Sequence, residues 1–87
     1  MKFLATEPYF KAYHKLPRHI QRQTDKQLGI LLENPRHPSL QIKKIKGAGK
    51  PPIFELRVTR GYRLTFQIEG EYYILRKVGT HNIIYNP

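Results

Sequence analysis

Cysteine is absent from this sequence, which excludes a disulfide framework and any thiolate metal centre and suits a reducing, cytoplasmic setting. Long apolar runs are missing as well. The opening Met1-Lys2-Phe3-Leu4-Ala5 meets Thr6 and Glu7 before a signal-peptide core could form, so neither a targeting segment nor a membrane partner is expected. Serine is nearly absent: Ser39 stands alone, without the G-x-S-x-G setting of a nucleophile elbow. Acidic residues are scarce, with six Asp and Glu against sixteen Lys and Arg, a formal net charge of +10. Such a chain attracts polyanions, whether nucleic acid, ribosome, anionic membrane or an acidic protein.

What is present fits one domain over residues 1–87, because a chain of this length buries only about 60–65% of its unfolded surface. Residues 2–5 form a short strand, and Thr6 caps a first helix with Pro8 in its first turn. That helix carries Tyr9, Phe10 and Tyr13 and breaks near Leu16-Pro17. In a second helix Ile20, Thr24, Leu28, Leu31 and Leu32 recur at helical period, while Arg18, Arg22 and Lys26 make a basic stripe on the other side, read as a solvated face. Asn34-Pro35-Arg36-His37-Pro38 ends it. Residues 40–46 follow as an irregular strand. Gly47 to Pro52 is a connection and not a phosphate-binding loop, since no Ser or Thr follows the Gly-Lys pair.

From Ile53 the period becomes two. Phe54, Leu56 and Val58 take one face and Ile53, Glu55, Arg57 and Thr59 the other; Tyr62, Leu64, Phe66 and Ile68 alternate with Arg63, Thr65 and Gln67. Turns at Arg60-Gly61 and Glu69-Gly70 make a three-strand antiparallel meander ending at Val78. The fold class is therefore α+β, a short N-terminal strand and a two-helix hairpin packed on a curved antiparallel sheet. The helices cover the apolar face and leave Glu55, Arg57, Arg63, Thr65 and Gln67 open. This charged group serves either as cross-strand pairing or as a site. His81 and Tyr85 follow the last strand, and histidine can donate or accept a proton near neutral pH. The four histidines, His14, His19, His37 and His81, lack metal-ligand spacing, so no metal or other cofactor is expected.

Leu32-Glu33-Asn34-Pro35-Arg36, Glu55-Leu56-Arg57-Val58, Gly61-Tyr62-Arg63-Leu64-Thr65-Phe66-Gln67 and Val78-Gly79-Thr80-His81, in that order, resemble the RelE/ParE superfamily of toxins from type II toxin–antitoxin pairs. The resemblance covers nearly the whole chain. It implies a cognate acidic antitoxin and an endoribonuclease that cuts mRNA in the 30S A site of the ribosome. Arg63 matches the arginine that holds the scissile phosphate, His81 an acid position, and Tyr85 an aromatic that stacks on a base. Arg57 is a second phosphate contact, with Lys44, Lys46 and Lys77 as further substrate-binding cations. Two lysines of RelE are replaced by Ile53 and Glu55, which makes Glu55 the general base. Two alternatives stay open: a ParE-like inhibitor that binds DNA gyrase, and a degenerate toxin that no longer cuts.

Overall fold

Thr6 turns the chain from strand into helix. Its hydroxyl accepts from the Tyr9 N–H at 3.4 Å as the N-cap of α1 (Glu7–His14) and reaches the carbonyls of Leu75 and Arg76 at 2.8 and 3.1 Å, so one side chain starts the helix and fixes it to a distant strand. The computed structural model describes all residues from Met1 to Pro87. After β1 (Lys2–Ala5) and α1 come α2 (Arg18–Glu33), a 3-10 turn (Pro38–Leu40), β2 (Lys43–Ile45), β3 (Ile53–Arg57), β4 (Tyr62–Glu69), β5 (Tyr72–Thr80) and a 3-10 helix (His81–Tyr85).

The five strands form one sheet in the order β1-β5-β4-β3-β2. The expected meander is present as β3-β4-β5, each pair antiparallel, with Leu56 opposite Leu64 and Leu64 opposite Val78. The sheet as a whole is mixed, because β1 runs parallel to β5; α1 and α2 lie between them in sequence and supply the long crossover that a parallel pair requires. Pro17 serves as the N-cap of α2 and not as its first residue. The strand expected over 40–46 contracts to three residues, since Pro38 starts a 3-10 turn that holds Leu40 and Gln41 adopts a left-handed φ of 44°. Gly70, at φ 58°, supplies the positive φ of the tight turn between β4 and β5.

Both helices cover one face of the sheet. Tyr9, Ile20, Leu28 and Leu31 from the helices meet Leu56, Leu64, Phe66, Tyr73, Leu75 and Val78 from the strands in a single buried cluster. Leu32, grouped with the apolar row opposite the basic stripe, is exposed instead, as is Phe10 on α1. On α2 the buried row runs Ile20, Thr24, Gln27, Leu28, Leu31: Gln27 takes an inward place because its amide reaches the carbonyls of Ser39 and Arg57 at 3.1 and 2.7 Å, and a buried amide so bonded is not penalised.

Candidate functional site

Alternation along β3 and β4 puts Glu55, Arg57, Arg63, Thr65 and Gln67 on the face turned away from the helices, as the sequence leads one to expect. The ladder arranges them in rows. Glu55 stands opposite Thr65, which stands opposite Lys77; Arg57 stands opposite Arg63, which stands opposite Gly79. Same-face rows are about 6.8 Å apart along a strand. One step beyond the arginine row, the His81 N–H donates to the Gly61 carbonyl at 3.1 Å, which fixes the start of the 3-10 helix beside the β3–β4 hairpin. An acid, two arginines and a histidine thus stand in successive rows along the strands, the acid on β3 and the histidine at the end of β5.

Two arginines directly opposite each other repel, and here their side chains are drawn to different partners. Arg63 Nη1 donates to the carbonyls of Thr59, Arg60 and Tyr62 at 2.7, 3.2 and 3.0 Å, clamping the hairpin turn. Its Nε lies 3.8 Å from Glu55 Oε1, with both side chains only 15% exposed. Nη2 has no protein partner, so one edge of the guanidinium remains free for an anion. Arg57 makes a long contact with Gln41 at 3.4 Å. The carboxylate of Glu55 therefore faces a held, partly desolvated arginine, and the row beside it carries a second positive charge.

The open polar face expected from alternation is largely closed. Residues 81–87 return across it: Ile83 lies on Gly79, where a Cβ would meet its Cγ2 at 3.1 Å, Lys77 Nζ donates to the Asn86 carbonyl at 2.6 Å, and Thr65 and Arg76 both donate to the Pro87 backbone oxygen at 3.2 Å. Thr65 is wholly buried and Gln67 nearly so. Gln67 donates to the Pro51 carbonyl at 2.7 Å and accepts from Arg76 at 2.8 Å. Ile53, on this same face, is buried with Ile45 opposite it and Gly49 against its side chain. The physical reason is composition: Ile53, Ile83 and Ile84 are apolar, and the chain folds over the second face to shield them. What is not covered is the end where His81 is exposed and Glu55, Arg57 and Arg63 are partly buried.

The lysines expected to bind substrate divide. Lys77 is on the site face, tied to Asn86. Lys44 stands opposite Phe54 and so belongs to the helix-side face, whereas Lys43 stands opposite Glu55; the register gives the place beside the acid to Lys43. Lys46 lies past the end of β2 and is exposed. His81 and Tyr85 are both exposed, Tyr85 by 79%. Four residues of a 3-10 helix turn through about 480°, so the two side chains leave the helix about a third of a turn apart and do not stack over one another.

Arg76 was missed by sequence reasoning, although a signal exists. Thr65 pairs with Lys77 and Phe66 with Leu75, so Arg76 is an extra residue, a β-bulge. Core-facing Leu75 and Val78 are three positions apart and not two, and that broken alternation turns Arg76 and Lys77 to one side. Among Tyr side chains, burial and then the charge of Asp25 push the Tyr9 phenol far above its ordinary range; burial, followed by the hydrogen bond to Asp25, also raises Tyr13. Both belong to the helical layer and not to the site. No three His, Asp or Glu side chains come together in a way that could hold a metal ion, and no helix is long and apolar enough to cross a membrane.

No protein-family model matches the sequence, and no curated protein matches it. Solved structures do. The isolated RelE toxin of E. coli is 28% identical with a TM-score of 0.69, over 90% of this chain and 81% of that one. The toxin of the RelB–RelE antitoxin–toxin complex from Methanococcus jannaschii is 24% identical with a TM-score of 0.73, over 95% of both chains. The E. coli DinJ–YafQ toxin–antitoxin complex matches at 13% identity and a TM-score of 0.77, over 95% of this chain and 94% of that one. The chain thus has the fold of the RelE/ParE-type toxins of type II toxin–antitoxin systems, matched over nine-tenths or more of its length.

Proposed function

We propose that this chain is the toxin of a type II pair and a metal-independent endoribonuclease that cuts mRNA, with the ribosomal A site as the place of cutting. The observation that carries the reading is the succession of rows on one sheet end: Glu55, then Arg57 with Arg63, then His81. A phosphodiester centred on the arginine row has a carboxylate on one side and an imidazole on the other, which is what transfer to a neighbouring 2′-oxygen requires.

In this mechanism Glu55 accepts the proton of the ribose 2′-hydroxyl as its oxygen attacks the adjacent phosphorus. A P–O2′ bond forms, the P–O5′ bond breaks, and protonated His81 gives its proton to the leaving 5′-oxygen. The products are a 2′,3′-cyclic phosphate and a free 5′-hydroxyl. Arg63 Nη2 and Arg57 stabilise the charge that gathers on the non-bridging oxygens, and Tyr85, exposed four residues after His81, offers a ring on which a base of the message stacks. Lys77 and Lys43 add positive charge at the Glu55 row. The relatives solved as complexes are held with antitoxins, and a cognate antitoxin of acidic character is the partner that a net charge of +10 favours here.

The test adds the purified protein to a translation reaction stalled on a defined message and maps new 5′ ends by primer extension, with His81→Ala, Arg63→Ala and Glu55→Gln alongside. The expected result is cuts within the A-site codon that each substitution suppresses. Intact message in cells whose growth is nevertheless arrested would overturn the nuclease reading in favour of a gyrase-type target.

A further inference from the structure

A second cationic feature lies outside the rows just described. Between α2 and the end of β3 an open groove of about 530 Å³ is lined by ten residues, only two of them hydrophobic. Lys26 and Arg60 bring positive charge to it, Arg57 stands at its edge with its carbonyl held by Gln27, and no acidic residue lines it. None of the three takes part in any of the molecule's ion pairs, which involve Lys2, Lys11 and Arg63. The walls are rigidly joined. Buried Gln27 uses its amide N–H groups on the carbonyls of Ser39 and Arg57, linking helix, 3-10 turn and strand. The Ser39 N–H donates to His37 Nδ1 at 3.1 Å, which leaves Nε2 as that ring's free nitrogen.

The chemistry of the lining selects among ligands. A lining of spaced positive charges among polar side chains, with His37 as its one ring, carries no acidic group to repel an anion. It suits a chain of negative charges separated by polar linkers, a phosphodiester backbone, recognised without regard to sequence. Arg57 belongs to both features: it lines the groove and stands opposite Arg63 in the ladder. The groove therefore begins where the catalytic rows end. On α2 the basic stripe resolves into two parts, since Lys26 lines the groove and Arg18 and Arg22 do not.

We propose that this groove holds the phosphodiester backbone of single-stranded RNA flanking the scissile position, with Lys26 and Arg60 as its phosphate-binding residues. The proposal deepens the nuclease reading but is measured without cleavage. The probe is a short fluorescent RNA carrying 2′-O-methyl groups at every ribose, so that it cannot be cut, titrated by fluorescence polarisation across a range of KCl concentrations. Lys26→Ala with Arg60→Ala is compared with Arg18→Ala with Arg22→Ala, which removes the same charge from outside the groove; all four side chains are exposed, and thermal melts check that both variants fold.

The groove variant is expected to bind about tenfold more weakly or worse, with a log–log salt slope shallower by about 0.7 for each phosphate no longer neutralised, while the control stays near the parent. Equal losses in the two variants would reduce the groove to a part of the general field and overturn the proposal, as would no loss in either. Undiminished RNA binding with impaired binding to empty ribosomes would overturn it in favour of a ribosomal contact. A parent that binds the blocked RNA through the groove yet cuts no message would sink the nuclease reading alone.

Discussion

The His81 imidazole is exposed and makes no side-chain hydrogen bond, and only its backbone is tied, to Gly61. His81→Ala is therefore expected to leave the melting temperature almost unchanged, as surface substitutions do, while lowering cleavage by about 10²- to 10⁴-fold, the usual worth of positioned acid–base catalysis. Cleavage at the parent's rate would remove His81 from the mechanism. Arg63 differs, because its Nη1 clamps three carbonyls of the hairpin, and its loss combines activity with stability. Glu55, Arg57 and Arg63 were legible in the sequence since strict alternation fixes a face. Lys43 and Arg76 were not: a three-residue strand is too short to set a phase, and a bulge shifts the phase within β5. Tyr9 supplies a test in the helical layer. Its raised phenol pKa means the folded chain keeps a proton that the unfolded chain releases near pH 10. The sign follows from linkage: the stability from neutral Tyr9 is complete below about pH 10 and is lost as pH rises beyond it. Urea denaturation should find parent and Tyr9→Phe similar at pH 7, with the parent losing more stability than the variant between pH 9 and 11. Parallel curves would show that Tyr9 is not desolvated as described.

At the scale of elements, one cap joins the two layers. The Thr6 hydroxyl both caps α1 and meets the carbonyls of Leu75 and Arg76 at the bulge. Thr6→Val keeps the shape and removes those bonds, so a loss of about 1–2 kcal/mol is expected in chemical denaturation; a loss below a few tenths would mean that water replaces the hydroxyl freely. The helix pair and the meander could be read from periods of 3.6 and two because each buries one face against the other. The parallel pairing of β1 with β5 could not, since four residues carry no record of their partner. Nor could the return of residues 81–87 over the sheet. That segment forms through Ile83 on Gly79 and through carbonyls meeting Lys77, Thr65 and Arg76, contacts that leave no periodic trace in a stretch so short.

For the molecule as a whole, sixteen basic side chains against six acidic ones set two salt responses of opposite sign. The ion pairs Lys2–Glu71 and Lys11–Glu7 join side chains that are two-thirds or more exposed, and such pairs stabilise little. Repulsion among the unpaired cations is then the larger long-range effect, and salt screens it, with a Debye length near 30 Å at 0.01 M and about 10 Å at 0.1 M. Raising KCl from low to moderate concentration should accordingly raise the melting temperature of the free protein by a few degrees, which corresponds to roughly 1 kcal/mol or less for a domain of this size. Binding of a phosphodiester chain should weaken over the same range through counterion release. Scanning calorimetry and the RNA titration, performed in the same buffers, read the two responses side by side. A melting temperature that falls as binding falls would mean that attractive pairs dominate the fold after all, and that the excess of basic residues is not held apart for a polyanion.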